Sequence, residues 1–176
     1  GGLKQNSIPM DTCWWYNIAS GTYQVAALLP KGRWGGKLVK VKSSLYLVGS
    51  IDSTYQTADG IIYKYSLTQN LWSVADTMPA PLVHESAVSV FKDSLIFVIG
   101  GSSNGFSFPN NLVRIYNPEL NTWLNSTPFP VNITTAHCEV NNDSIFFVAG
   151  GYNAGNLNTV YKRVPVFENN GTVNVF

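Results

Sequence analysis

Charge is scarce in this chain: Lys, Arg, Asp and Glu together make up 12% of its 176 residues, about half the usual share for a soluble domain. The formal net charge is +1, and no long basic or acidic run occurs. The electrostatic footprint that nucleic-acid backbones select is therefore missing, and no nucleic-acid partner is expected. Histidine is limited to His84 and His137, and cysteine to Cys13 and Cys138. Two cysteines are too few for a disulfide framework, and Cys-x-x-Cys spacing is absent, so both are read as small buried hydrophobes. The longest apolar stretches, Ser94 to Gly101 and Ser144 to Gly151, fall far short of the ~20 residues a membrane-crossing helix needs. No membrane span is expected. The first residues contain neither an apolar targeting run nor a Met.

Hydrophobic residues, in contrast, make up 45% and aromatics 13%, a composition that folds. Asn, Ser and Thr fill positions that Lys and Glu usually occupy. Four N-x-Ser/Thr triplets follow, at Asn125, Asn132, Asn142 and Asn170. They are candidate N-glycosylation sites and point to an extracellular or cell-surface location, although a chain rich in these residues also produces such triplets by chance.

One period accounts for nearly the whole chain. The segments SSLYLVGS ending at Ser50, DSLIFVIGG ending at Gly101 and DSIFFVAGG ending at Gly151 recur at about 50 residues. Between them lie aromatic pairs seven apart, Tyr16 to Tyr23, Tyr65 to Trp72 and Tyr116 to Trp123, and Pro30, Pro79 and Pro130 each follow by seven more. Ser94 to Ile99 is a continuous β-branched and aromatic run, the pattern of a strand covered on both faces. Lys92-Asp93-Ser94 is a turn joining it to Glu85 to Phe91. Gly100-Gly101 closes the run where free φ or close backbone approach is needed. A third strand is predicted over Leu112 to Tyr116, a turn over Asn117 to Asn121, and a fourth strand over Thr122 to Asn125. Each unit is thus a four-stranded antiparallel sheet with two apolar faces, which needs a neighbour on either side.

An apolar run closed by Gly-Gly, then Tyr, then Trp seven later, then Pro resembles the kelch repeat. The resemblance implies an all-β, kelch-type β-propeller of four-stranded antiparallel blades, with about three and a half blades in this chain. They are a partial blade over residues 1–30, blades over 31–79 and 81–130, and a divergent or partial blade over 131–176. The glycine pair is degraded to Gly49-Ser50 in one copy, Tyr23 stands where Trp is usual, and no clear Trp equivalent follows Tyr161 or Phe167. In the family these Tyr and Trp residues pack between blades, so Tyr16, Tyr23, Tyr65, Trp72, Tyr116 and Trp123 are expected in the core. Trp14 and Trp15 should face opposite sides of their sheet. Kelch propellers, by the same resemblance, close with six or seven blades. This chain is therefore expected to belong to a longer protein, opening mid-blade at Gly1-Gly2, or to complete a ring with a second copy.

No catalytic constellation is visible, and no cofactor or metal is expected. His84 and His137 fall three positions out of register between their repeats, and His84-Glu85, if on a strand, would point to opposite faces. Gly100 to Gly105 precedes a strand, not a helix, and lacks the following Lys of a phosphate loop. The loops Ile51 to Gly60, Ser102 to Asn111 and Tyr152 to Asn158 should emerge on one face, beside the turns around Arg33, Val83 and Asn132. They supply the candidate binding residues Arg33, Tyr55, His84, Phe106, Phe108 and Tyr152, a mixture with Ser and Asn suited to adaptable recognition of a protein or carbohydrate. The alternative is that these aromatics fold down onto the rim. Three functions stay open. The first is a non-catalytic interaction or structural module. The second is a carbohydrate-active or redox enzyme of the galactose-oxidase or sialic-acid-epimerase type, with site residues elsewhere. The third is an intracellular ubiquitin adaptor, for which clustered loop arginines would be needed.

Overall fold

Two left-handed residues turn one pair of apolar runs into a hairpin. Lys92 (φ 52°) and Asp93 (φ 46°) give the geometry whose twist matches a β-hairpin, so the apolar runs on either side fold back on each other. The computed structural model describes residues 1–52, 58–104, 107–141, 145–163, 166–167 and 173–174. The first strands are β1 (Leu3–Lys4) and β2 (Ile8–Pro9), separated by a single turn of 3-10 helix, then β3 (Trp14–Asn17) and β4 (Thr22–Val25). One four-stranded antiparallel sheet follows from β5 (Lys37–Val41), β6 (Ser44–Val48), β7 (Ile61–Ser66) and β8 (Leu71–Thr77). A second contains β9 (Ala87–Phe91), β10 (Leu95–Ile99), β11 (Val113–Asn117) and β12 (Thr122–Ser126). The next sheet is three-stranded, from β13 (His137–Asn141), β14 (Ile145–Ala149) and β15 (Val160–Arg163), and β16 (Val166–Phe167) pairs with β17 (Val173–Asn174). The sheets are the blades of an all-β, partial propeller.

The seven-residue aromatic spacing is a register. Tyr16 lies directly opposite Tyr23, Tyr65 opposite Trp72, and Tyr116 opposite Trp123, with ring centroids 4.7, 4.9 and 4.9 Å apart. In the two complete blades the tyrosine also holds the turn, because Tyr65 Oη donates to Asn70 Oδ1 at 2.5 Å and Tyr116 Oη to Asn121 Oδ1 at 2.8 Å. Both asparagines have φ 51°, a conformation that Asn tolerates better than most residues. The tryptophan reaches back to the preceding blade: Trp72 Nε1 donates to Ala27 O at 3.1 Å and Trp123 Nε1 to Asp76 Oδ2 at 2.9 Å. One aromatic pair therefore fixes hairpin register, turn and blade contact together.

Blades stack through alternate residues of their strands. Val41, Tyr46 and Val48 of one blade meet Val88, Ile96, Val98 and Tyr116 of the next, and burying Ile96 and Val98 stabilises the fold by about 1.5–3 kcal/mol each. A second core joins Phe91, Phe97, Ile99 and Ile115 to Ala136, Cys138 and Val148. Leu29, Met78 and Phe129, each just before the recurrent proline, are buried at the joints.

Two expectations need correction. Tyr16 and Tyr23 are not core residues: they are 52% and 68% exposed, because no described sheet lies against their side of β3 and β4. Cys13 is only half-buried, whereas Cys138 is buried, and both are free thiols. Burial pushes the Cys138 thiol up to about 12, which makes it unreactive. Trp14 and Trp15 do face opposite sides, Trp15 meeting Tyr65 at 5.7 Å while Trp14 stays exposed. The fourth strand ends at Ser126, one residue beyond the predicted limit.

Candidate interaction face

In an antiparallel blade the connection after the second strand and the link into the next blade must emerge at the same end. Here they are also tied together. Trp34 bridges Ile51, which bridges Ala58; His84 bridges Ser102, which bridges Pro109; Thr134 bridges Tyr152, which bridges Asn156. Each loop is thereby closed at its base by a short antiparallel ladder in line with the blade, and its tip is left to vary. Neighbouring blades are joined there too, through Met10 with Arg33 and Asn110 with Ile133.

The glycine pair makes this junction possible. Gly100 and Gly101 have φ of 62° and 101°. A Cβ on Gly101 would lie 2.8 Å from His84 O, and one on Gly100 would collide with Ile133 O. Gly101 N instead donates to Ile133 O at 2.7 Å, bonding one blade to the strand entering the next.

The candidate residues divide between surface and support. Phe108 is 59% exposed, on a loop braced by Ser103 N donating to Phe108 O at 3.4 Å and Ser107 N to Asn104 O at 3.2 Å. Tyr152 is half-buried at the loop base. Tyr55 and Phe106, like the triplet residues Asn142 and Asn170, lie outside the described residues. Asn125 and Asn132 are exposed.

Arg33 and His84 are at this end of the molecule but do not present themselves to solvent, being 1% and 0% exposed. Arg33 pairs with Asp59, donates to Tyr63 Oη at 3.1 Å and lies 5.3 Å from the Tyr63 ring centroid. An arginine so placed braces the loop that Asp59 ends. His84 lies under Trp34, ring centroids 6.2 Å apart. Neither ring nitrogen has a hydrogen-bond partner among the described residues, and burial pushes the imidazole below its ordinary value. Glu85 has φ 52°, so it is not in extended strand and the alternation expected to separate it from His84 does not apply. Burial raises its carboxyl, with Lys37 acting in the opposite direction. Trp34, His84 and Thr134 are spaced by 50, a periodicity legible in the sequence once the repeats are aligned one position at a time.

Among the described residues no three His, Cys, Asp or Glu side chains converge as a metal site, and no helix is long and apolar enough to cross a membrane.

Comparison with known proteins agrees with the repeat. The model of the Kelch motif matches residues 86–130, which spans the complete blade from β9 to β12. Across the longer alignment the chain is 26% identical over 153 residues to Kelch-like protein terF of Aspergillus terreus, covering 82% of this chain and 33% of that protein. These matches support a kelch-repeat β-propeller, with the motif itself matched in one complete blade. Kelch-like protein 35 is a further relative, 23% identical over 137 residues in Mus musculus (78% of this chain, 23% of that protein). In Homo sapiens it is 30% identical over 92 residues (52% of this chain, 15% of that protein). The chain thus spans a third or less of the length of these curated relatives. Among solved structures, that of YjhT shares the fold, with a TM-score of 0.76 at 14% identity over 94% of this chain and 52% of that one.

Proposed function

We propose that this kelch chain is a non-catalytic interaction module that binds a protein partner through its loop end, and that it works secreted or at the cell surface. The observation that carries the reading is the set of ladders at residues 34, 51 and 58, 84, 102 and 109, and 134, 152 and 156. They hold loops of unlike sequence at fixed bases, a rigid scaffold presenting variable tips. The exposed Phe108 supplies the kind of aromatic anchor that dominates protein recognition. Kelch-repeat proteins typically serve as interaction modules, and the family relationship supports the same role here. His84, sealed beneath Trp34, is shaped as support, not as an accessible acid or base.

Photo-crosslinking tests this reading. Benzoylphenylalanine placed at Phe108 samples the loop end, and placed at Leu120, 69% exposed in a turn at the other end, samples the opposite face. The expected result is a discrete protein adduct from position 108 and none from 120. Equal yields from both, or selective binding to a glycan array without any protein adduct, would overturn it. The location is checked by expression through a secretory pathway: loss of mass on glycosidase treatment, removed by Asn125→Gln or Asn132→Gln, is expected, and a chain without glycan counts against it.

A further inference from the structure

Internal repetition supplies a control for the opposite end of the molecule, where the hairpin turns lie. Tyr46 of β6 pairs with Lys64 of β7, and Phe97 of β10 pairs with Ile115 of β11 at the same place in the next blade. Ser44, two residues before Tyr46, corresponds to Leu95. Residues two apart on a strand, and residues directly opposite across a strand pair, share a face. In the second complete blade that face is dry: Leu95, Phe97 and Ile115 pack with Cys138 and Val148 of the next sheet. In the first it holds a hydroxyl, a phenol and an ammonium group.

The exchange leaves a cleft between the two complete blades. Its volume is about 280 Å³, and Lys42, Ser43, Ser44, Tyr46, Lys64 and Glu119 line it. Sites for larger ligands run from roughly 300 Å³ upward, so the space suits a small group. Lys64 is half-buried, with Nζ 6.0 Å from the centroid of the buried Tyr46 ring, and among the described residues no carboxylate pairs with it. An ammonium group held in a partly desolvated cleft without a counter-ion costs stability, and Ile115 shows that an apolar side chain fits the matching position. Lys42 stands at the mouth. Its Nζ is 2.7 Å from Glu119 Oε2 across the two blades, and the two side chains are 59% and 70% exposed. An ion pair so open to water contributes little and separates readily. The other acidic group beside Lys42 is Asp93, whose Oδ1 accepts from Lys42 N at 2.7 Å.

We propose that this cleft binds a small tetrahedral oxyanion, the phosphate or sulfate group of a ligand, with the ammonium groups of Lys64 and Lys42 supplying charge and the hydroxyls of Ser43 and Ser44 donating hydrogen bonds. Lysine serves such groups as a point charge, without the planar fork that matches a carboxylate. The anion takes the place of the Glu119 carboxylate at Lys42, so the surface ion pair is a latch that the ligand opens. The cleft lies at the end away from the loops, and its ligand does not depend on the partner proposed for the loop end.

The test titrates sodium phosphate and sodium sulfate into the isotope-labelled chain at about pH 8, where both anions are doubly charged, against sodium chloride at matched ionic strength, and follows the backbone amide shifts. The expected result is saturable shifts at residues 42–44 and 64 with phosphate and sulfate and none with chloride, the tighter anion identifying the group. Glu119→Gln should tighten binding about threefold, because it removes a competing carboxylate. Lys64→Ile should weaken it about tenfold or more while melting no lower than wild type. Lys162→Met, at an exposed lysine in the matching place of β15, should change neither. Equal weakening by Lys64→Ile and Lys162→Met would overturn the proposal as diffuse attraction to lysine, and so would phosphate and sulfate acting no differently from chloride. So would a Lys64→Ile chain that melts more than about 5 °C below wild type, since Lys64 would then brace the blades.

Discussion

At Gly101 the backbone has φ 101° and passes His84 O so closely that an added Cβ would sit 2.8 Å from it. A β-branched side chain cannot relieve both constraints, so Gly101→Val should abolish cooperative folding, measured as loss of the near-ultraviolet circular dichroism transition. Gly150 has φ 66° but nothing within 4 Å of an added Cβ among the described residues, and Gly150→Ala should cost only about 1 kcal/mol. Folding of Gly101→Val with ordinary cooperativity would show that the junction is looser than described. His84 gives the second prediction at this scale. Its folded value lies below the unfolded value of 6.5, so between the two the unfolded chain binds more protons. Stability is then full above about pH 6.5 and falls as the pH drops toward the folded value, with a limiting slope of about 1.4 kcal/mol per pH unit. Glu85, raised above 4.5, acts in the opposite sense, losing its contribution as pH rises through its folded value. The comparison that isolates the imidazole is thermal melting of wild type and His84→Phe between pH 5 and 8. The variant should lack part of the acid-side decline, and identical profiles would assign that decline to other groups.

At the scale of the hairpin, Trp123 is tied two ways, although part of its ring stays exposed: it faces Tyr116 across the strand pair with rings 28° from parallel and donates to Asp76 of the previous blade. Trp123→Ala should cost about 3 kcal/mol in urea unfolding, near the low end for large aromatics because burial is incomplete. A loss under about 1 kcal/mol would mean that the tryptophan does not join blades. Such hairpins were legible from sequence because a register is a spacing: two aromatics facing each other over a short turn must recur at a fixed interval, and the turn must admit a left-handed Asn70 or Asn121. The loop end was less legible. Nothing in the residue types of Arg33 and His84 distinguishes an exposed recognition residue from a buried brace, and the difference lies in Asp59, Tyr63 and Trp34, which are brought near by blade stacking. The left-handed Glu85 was hidden as well, since the position occupied by Gly35 in one repeat holds Glu85 and Thr135 in the others.

For the molecule as a whole, stability comes from faces shared between blades, so it is unequal along the chain. The β9–β10 hairpin has a neighbour on both faces, whereas β3 and β4 have one, and leave Trp14, Tyr16, Tyr23 and Val25 at 52–68% exposure. The blades hold one another, and the middle hairpin, packed on both faces, fixes the loop ends. Native-state amide hydrogen exchange on the dilute chain measures this unequal stability most directly. The account predicts that amides of Leu95–Ile99 exchange slowest and those of Trp14–Asn17 and Thr22–Val25 about 100-fold faster or more. Uniform protection, with β3 and β4 exchanging as slowly as β10, would contradict it.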